Sequence, residues 1–321
     1  MGVELRFVTV NGIRMRIAEQ GEGPLILLLH GFPESWYSWR HQFQPLADAG
    51  FRVVAPDQRG YGGTDCPAAN DQYTIMHLVG DVVGLIAALG EQRAIVVGHD
   101  WGAPVAWASA ALRPDIVRGV AALSVPPNGP LLPLWNEPAP PVAAMRERLG
   151  DDFYMVQFQQ PGLVEPFFES DLRATFRSVL TSADTTPEGQ APSFDDGGAG
   201  LDGPRGALPK WLSQDDIDMF ADEYSARGFA GPLNWYRNID RNWELLAPWY
   251  GTRIAPPALY LVGDRDTVLS FLPVPDSLDD LREFAPQARD LIRVKDCGHW
   301  TQQEQPSVVS SALVDFASSL G

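Results

Sequence analysis

Val97-Gly98-His99-Asp100-Trp101-Gly102 sets a carboxylate between two glycines, just after the apolar run Ile95–Val97 and just before a segment of helical pattern at 102–112. The spacing is that of a nucleophile elbow, G-x-S-x-G, with aspartate where serine is usual. Gly98 and Gly102 permit the sharp strand-to-helix turn such an elbow needs. The ordinary alternative is an aspartate that merely caps the next helix. As a nucleophile, Asp100 favours a saturated carbon with a strained or good leaving group. It would leave an alkyl ester that a second step must hydrolyse.

Outward from the elbow, the chain alternates in two periods. Residues 5–10 and 13–19 flank Asn11-Gly12, a hairpin signal. Leu25–Leu29 is apolar throughout, as expected of a strand buried on both faces. Helices are predicted at 35–49, 74–89 and 102–112, and strands at Val53–Ala55, Ile95–Val97 and Val117–Val125. This rhythm predicts an α/β fold with a mostly parallel sheet covered on both faces. His30, Pro56, Asp100 and Val125 then fall at strand carboxyl ends, where open α/β sheets bind ligands. The pattern breaks at Pro126-Pro127 and resumes after Pro257 with strand Ala258–Val262, a helix near 276–285, strand Leu291–Val294 and a helix at 306–319. The expected organisation is a core of residues 1–127 and 249–321 with a helical cap, 128–248, inserted between core strands. Within the cap, the Gly/Asp/Ser/Pro-rich stretch 181–209 reads as a loop.

The chain has 321 residues, nearly half of them hydrophobic, enough for a full core. A net charge of −17 argues against nucleic acid or an anionic membrane as partner. Cys66 and Cys297 are too few for a disulfide framework, which with the absence of a signal pattern or membrane-length apolar run points to the cytoplasm. The five scattered histidines form no metal-ligand spacing, so neither metal nor other cofactor is expected. Oligomeric state is not legible.

His299, in Asp296-Cys297-Gly298-His299-Trp300, follows the last predicted strand and is the candidate base. Its acidic partner is expected in Gly263-Asp264-Arg265-Asp266-Thr267. Asp266 is preferred because it lies further along the loop and can turn back toward His299. Asp264 stays open, and Asp296 is a weaker third. Nucleophile, acid and histidine thus follow the α/β-hydrolase chain order. In His30-Gly31-Phe32-Pro33, Gly31 permits a tight turn that frees the Phe32 N–H. With the Trp101 N–H it forms a candidate oxyanion hole, while His30 is read as structural.

Together these residues resemble the soluble epoxide hydrolases of the α/β-hydrolase superfamily, over nearly the whole chain and without room for the extra N-terminal domain of larger members. The resemblance rests on His30–Glu34 with Ser38-Trp39-Arg40, Asp57-Gln58-Arg59-Gly60-Tyr61-Gly62, the elbow, Phe158-Gln159-Gln160-Pro161-Gly162, Gly231-Pro232-Leu233-Asn234-Trp235-Tyr236-Arg237-Asn238, and Cys297–Gln302. It implies Asp100 as nucleophile, His299 as base, Asp266 as acid, and Tyr236 and Tyr154 as the two tyrosines that hold the epoxide oxygen. Phe32, Trp101, Trp235 and Trp300 are expected to line an apolar substrate site, with a small epoxide and water as the partners. The alternatives are a haloalkane-type dehalogenase sharing the Asp/His/Asp set, and a catalytically silent receptor.

Overall fold

The computed structural model describes residues 2–135, 139–182 and 207–321. Strands β1 (Glu4–Val10) and β2 (Ile13–Gln20) form the expected hairpin, with Asn11 and Gly12 both at positive φ. There follow β3 (Leu25–Leu29), α1 (Phe43–Asp48), β4 (Arg52–Pro56), α2 (Ile75–Ala88), β5 (Ala94–His99), α3 (Gly102–Leu112) and β6 (Val117–Leu123). After a helical stretch come β7 (Ala258–Gly263), α11 (Leu278–Phe284), β8 (Ala288–Val294), α12 (Thr301–Glu304) and α13 (Pro306–Ser318). Among the described residues the eight strands make one sheet, ordered β1-β2-β4-β3-β5-β6-β7-β8. From β4 through β8 all neighbours run parallel; β1 and β2 attach antiparallel.

The all-apolar sequence of β3 explains its central position. Leu25, Leu27 and Leu29 face the layer that includes α2 and α3, whereas Ile26 and Leu28 face the layer with Phe43, Leu46, Val309 and Leu313 of α1 and α13. Each such side chain, fully buried, contributes about 1.5–3 kcal/mol. In α2, Ile75, Leu78, Val79, Val82, Leu85 and Ile86 recur at helical spacing and form its buried face.

The helix expected at 35–49 is instead a 3₁₀ turn, Trp36–Trp39, followed by α1. Pro45 explains the break: within a continuous helix its ring would clash with the carbonyl four residues earlier. Ser35 and Asp57 take up the freed N–H groups of Tyr37 and Trp36, at 3.3 and 3.1 Å.

Between β6 and β7 lie α4 (Pro141–Leu149), α5 (Tyr154–Gln157), α6 (Glu165–Ser170), α7 (Leu172–Ser182), α8 (Gln214–Tyr224), α9 (Ala230–Tyr236) and α10 (Ile239–Leu246), with no strand among the described residues. Thr181 and Ser182, expected to open a loop, belong instead to α7; Thr181 Oγ1 bonds back to the Arg177 carbonyl at 2.7 Å. Residues 183–206 of that stretch lie outside the described residues. Polar contacts tie these helices to the sheet half: Arg40 to Asp216 at 3.1 Å, Arg16 to Glu223, and the Trp235 indole N–H to the Arg59 carbonyl at 3.0 Å.

Candidate active site

The elbow closes where β5 meets α3. Asp100 has φ +49°, a conformation costly for a non-glycine residue and common at functional turns. It is held there by glycines on three sides. A Cβ on Gly98 would strike Gly102, one on Gly102 would strike the Leu29 carbonyl, and one on Gly31 would strike the Asp100 side chain, all closer than 3.0 Å. The loop after β3 therefore lies directly against the elbow. As a result the Phe32 N–H donates to Asp100 Oδ1 at 2.7 Å. His30 is internal to that turn: its Nδ1 is 2.9 Å from the Gly31 carbonyl, and its Nε2 accepts from Gln58 N–H at 3.0 Å.

The turn after β8 brings in His299. Its Nδ1 lies 3.0 Å from Asp266 Oδ1, and its Nε2 faces Asp100 Oδ2 at 3.6 Å. Asp266 ends the loop after β7, is almost fully buried, and also accepts the Val268 N–H at 3.0 Å. Asp264 turns the other way and accepts the Cys297 N–H at 3.2 Å, while Asp296 pairs with Arg265 at the surface. Burial by itself would lower the pKa of His299. The negative charges of Asp266 and Asp100 outweigh it and hold the imidazole well above 6.5. Burial would likewise raise Asp266, but the His299 charge and its hydrogen bonds keep it below the usual carboxylate range.

Above the elbow stand two tyrosines from the helices between β6 and β7. Tyr236 ends α9, its ring perpendicular to Trp101 at 5.2 Å and to Phe32 at 5.4 Å; Tyr154 opens α5, 6.1 Å from the Tyr236 ring. The flanking residues join the two segments. Gln159 donates to the Tyr236 carbonyl at 3.0 Å, and Arg237 donates to the Phe158 carbonyl at 3.0 Å while pairing with Glu165 at 2.6 Å. Burial, and next the charge of Asp100, push both phenols well above 10, so each stays a neutral donor.

The residues 24–186 match the family model described as "alpha/beta hydrolase fold". Among curated relatives, "Epoxide hydrolase A" of Mycobacterium tuberculosis is 42% identical over 325 residues, covering 98% of this chain and 97% of the relative. "Epoxide hydrolase 3" of Siraitia grosvenorii is 40% identical, covering 96% of each. The crystal structure of Epoxide Hydrolase A from Mycobacterium thermoresistibile superposes with a TM-score of 0.89 at 41% identity, over 98% of both chains. The chain belongs to the soluble epoxide hydrolases of the α/β-hydrolase family.

Among the expected site residues of this epoxide hydrolase family member, Asp100, His299, Asp266, Phe32 and Trp101 converge on the carboxyl ends of β3, β5, β7 and β8, with Tyr154 and Tyr236 over them. Trp300 packs edge-on to His299 at 4.7 Å. Trp235, expected to line the substrate site, is fully enclosed. It stands behind Trp101 at 5.9 Å with its N–H on the Arg59 carbonyl; Trp101 and Trp300 are almost as enclosed, at 1% and 2% exposure, and Phe32 keeps 9%.

Two groups beside the site went unnoticed in the sequence. His99, inside the elbow, holds the His299 carbonyl at 2.8 Å through Nε2 and buried Glu34 at 2.9 Å through Nδ1. Its place next to Asp100 was a signal, since β5 alternation turns its side chain to the opposite face. Ser124, at the end of β6, touches His299 and carries no sequence signal.

Proposed function

We propose that the chain hydrolyses apolar epoxides to vicinal diols through an ester on Asp100. Asp100 Oδ2 attacks an epoxide carbon, the ring C–O bond breaks, and Tyr154 and Tyr236 hold the leaving oxygen and give it a proton. His299, oriented by Asp266, then takes a proton from water through Nε2. The resulting hydroxide attacks the ester carbonyl, the Phe32 and Trp101 N–H groups hold the tetrahedral oxyanion, and its collapse breaks the acyl–oxygen bond; the new carboxyl passes its proton to the departing alkoxide, so the diol leaves and Asp100 is again a carboxylate. Segment 128–248 acts as the cap that carries both phenols, and residues 1–127 with 249–321 form the core. Unpaired Cys66 and Cys297 suit a reducing cytoplasm; no described helix is long and apolar enough to cross a membrane.

The observation that carries this reading is the placing of a left-handed aspartate beneath two phenols that burial, and next the aspartate's own charge, keep neutral. A phenol donor suits an alkoxide leaving group. The electrostatics also suit a two-step cycle. Esterification removes the charge of Asp100, one of the two that raise the His299 pKa, and so weakens the hold on the Nε2 proton. Passed to the phenolate, that proton restores the tyrosine and leaves the imidazole able to act as base on water.

A single turnover in oxygen-18 water tests the route. The first diol is expected to be unlabelled, its new oxygen coming from Asp100; label in that first diol sinks the covalent mechanism. Halide release from haloalkanes with no epoxide turnover would move the leaving group from oxygen to halogen.

A further inference from the structure

Ser124 sits at the centre of a three-residue turn closed by the Val125 N–H on the Leu123 carbonyl at 2.9 Å. Its φ is +72°, the rare and strained hand of that turn. Glycine adopts this conformation freely, whereas a serine does so at a cost. The backbone is clamped from β7: the Ser124 N–H donates to the Leu261 carbonyl at 2.9 Å, and the fully buried Tyr260 hydroxyl donates to the Ser124 carbonyl at 2.5 Å. The kink turns the fully buried Ser124 side chain toward the loops after β7 and β8, where its Oγ meets His299 Nδ1 at 3.0 Å. Asp266 Oδ1 lies at the same distance from that nitrogen.

Nδ1 carries one hydrogen, and two oxygens at equal range face it. We propose that Ser124 is a positioning residue for the base, its hydroxyl oxygen sharing the His299 Nδ1–H with Asp266 and so fixing the ring plane that aims Nε2 at Asp100. The inference rests on the hydrolytic role of His299 proposed above and adds a member to its support. It explains why a serine occupies a position whose backbone suits glycine: the side chain returns in orientation what the backbone costs. The Ser124 hydroxyl is also among the groups that hold Asp266 below the usual carboxylate range.

The test uses the full chain, an aryl epoxide such as styrene oxide, and rapid quench with intact-protein mass as readout. Ser124→Ala removes the oxygen and keeps the strained backbone; Ser124→Gly removes the oxygen and relieves the strain, so folding is not at risk. In both variants the ester is expected to form at the wild-type rate. Its decay should slow about tenfold, the equivalent of one hydrogen bond to a charged group. The pH midpoint of decay should also move down, because the imidazolium has lost an acceptor. Decay at the wild-type rate with an unmoved midpoint in both variants overturns the role of Ser124. Failure of the wild-type chain to form any ester would instead overturn the covalent mechanism, a result visible before either variant is made.

Discussion

His299 Nε2 stands 3.6 Å from Asp100 Oδ2, beyond hydrogen-bond length yet close enough for the carboxylate charge to raise the imidazole pKa. The gap matters to the proposed mechanism, in which nucleophile and base serve opposed half-reactions. A base bonded tightly to the nucleophile would hinder its attack, whereas a base far from it would not feel the ester form. In the proposed cycle, the carboxylate at this separation raises the imidazole pKa, and alkylation would remove that influence.

His299→Gln should leave alkylation in place and stop hydrolysis. Incubated with a turned-over epoxide, that variant is expected to gain the mass of one substrate on the intact protein. No adduct with any epoxide the native chain accepts would remove His299 from the role of base.

Asp266→Asn and Asp264→Asn should separate cleanly. Asp266 is buried against Nδ1, while Asp264 is partly exposed and bonded to the Cys297 N–H. Losing the buried acid costs on the order of 10³–10⁴ in kcat, as in other triads whose histidine loses its orienting carboxylate. Asp264→Asn should keep kcat within about threefold, since substitutions at such exposed positions usually stay within ±0.5 kcal/mol. Steady-state diol formation decides it.

Tyr236→Phe and Tyr154→Phe should each slow ester formation by about 10²–10³, the usual cost of deleting one donor to a developing oxyanion. The adduct burst reads this step directly. Because burial and Asp100 push both phenols upward, the wild-type burst should show no loss from tyrosine ionisation up to pH 10. A fall with a midpoint near 8 would contradict that protonation state.

Folding stability should carry the triad's signature. His299 has a raised pKa in the fold, so its stabilisation is complete below about 6.5, its unfolded value, and is lost as pH rises through the folded value. Asp266 has a lowered pKa, so its share is present above about 3.9 and is lost as pH falls through its folded value. Urea midpoints of wild type and His299→Gln should therefore differ most near pH 5.5 and converge only as pH rises through the raised folded value. A constant difference would refute the coupling.

Gly31→Ala should act through sterics alone. The added methyl would collide with the Asp100 side chain, and displacing that carboxylate by about an ångström costs roughly 10² in rate. Parallel measurements of kcat and Tm should show a large drop in the first and a modest one in the second. An unchanged kcat would mean that the elbow yields without cost.

The sequence by itself determined the sheet and pointed to the candidate site residues that the fold brings together. The short apolar run Leu25–Leu29, bounded by turn residues, reads as a strand buried on both faces, and the glycines around Asp100 permit a sharp turn. Tyr154 and Tyr236 were named by the family resemblance of their segments, and Gln159 and Arg237 of those same segments join the two in the fold. Tertiary structure decided what depends on distance between remote segments. Asp264 and Asp266 differ by two positions in one loop, and only the packing of β7 against β8 sends one to His299 and the other outward. Trp235 looked like a substrate wall by composition, but the closure of α9 on the Arg59 carbonyl encloses it. Ser124 is the extreme case: a serine at a strand end means nothing in sequence, and its contact with His299 exists only because the left-handed turn after β6 points it across the sheet.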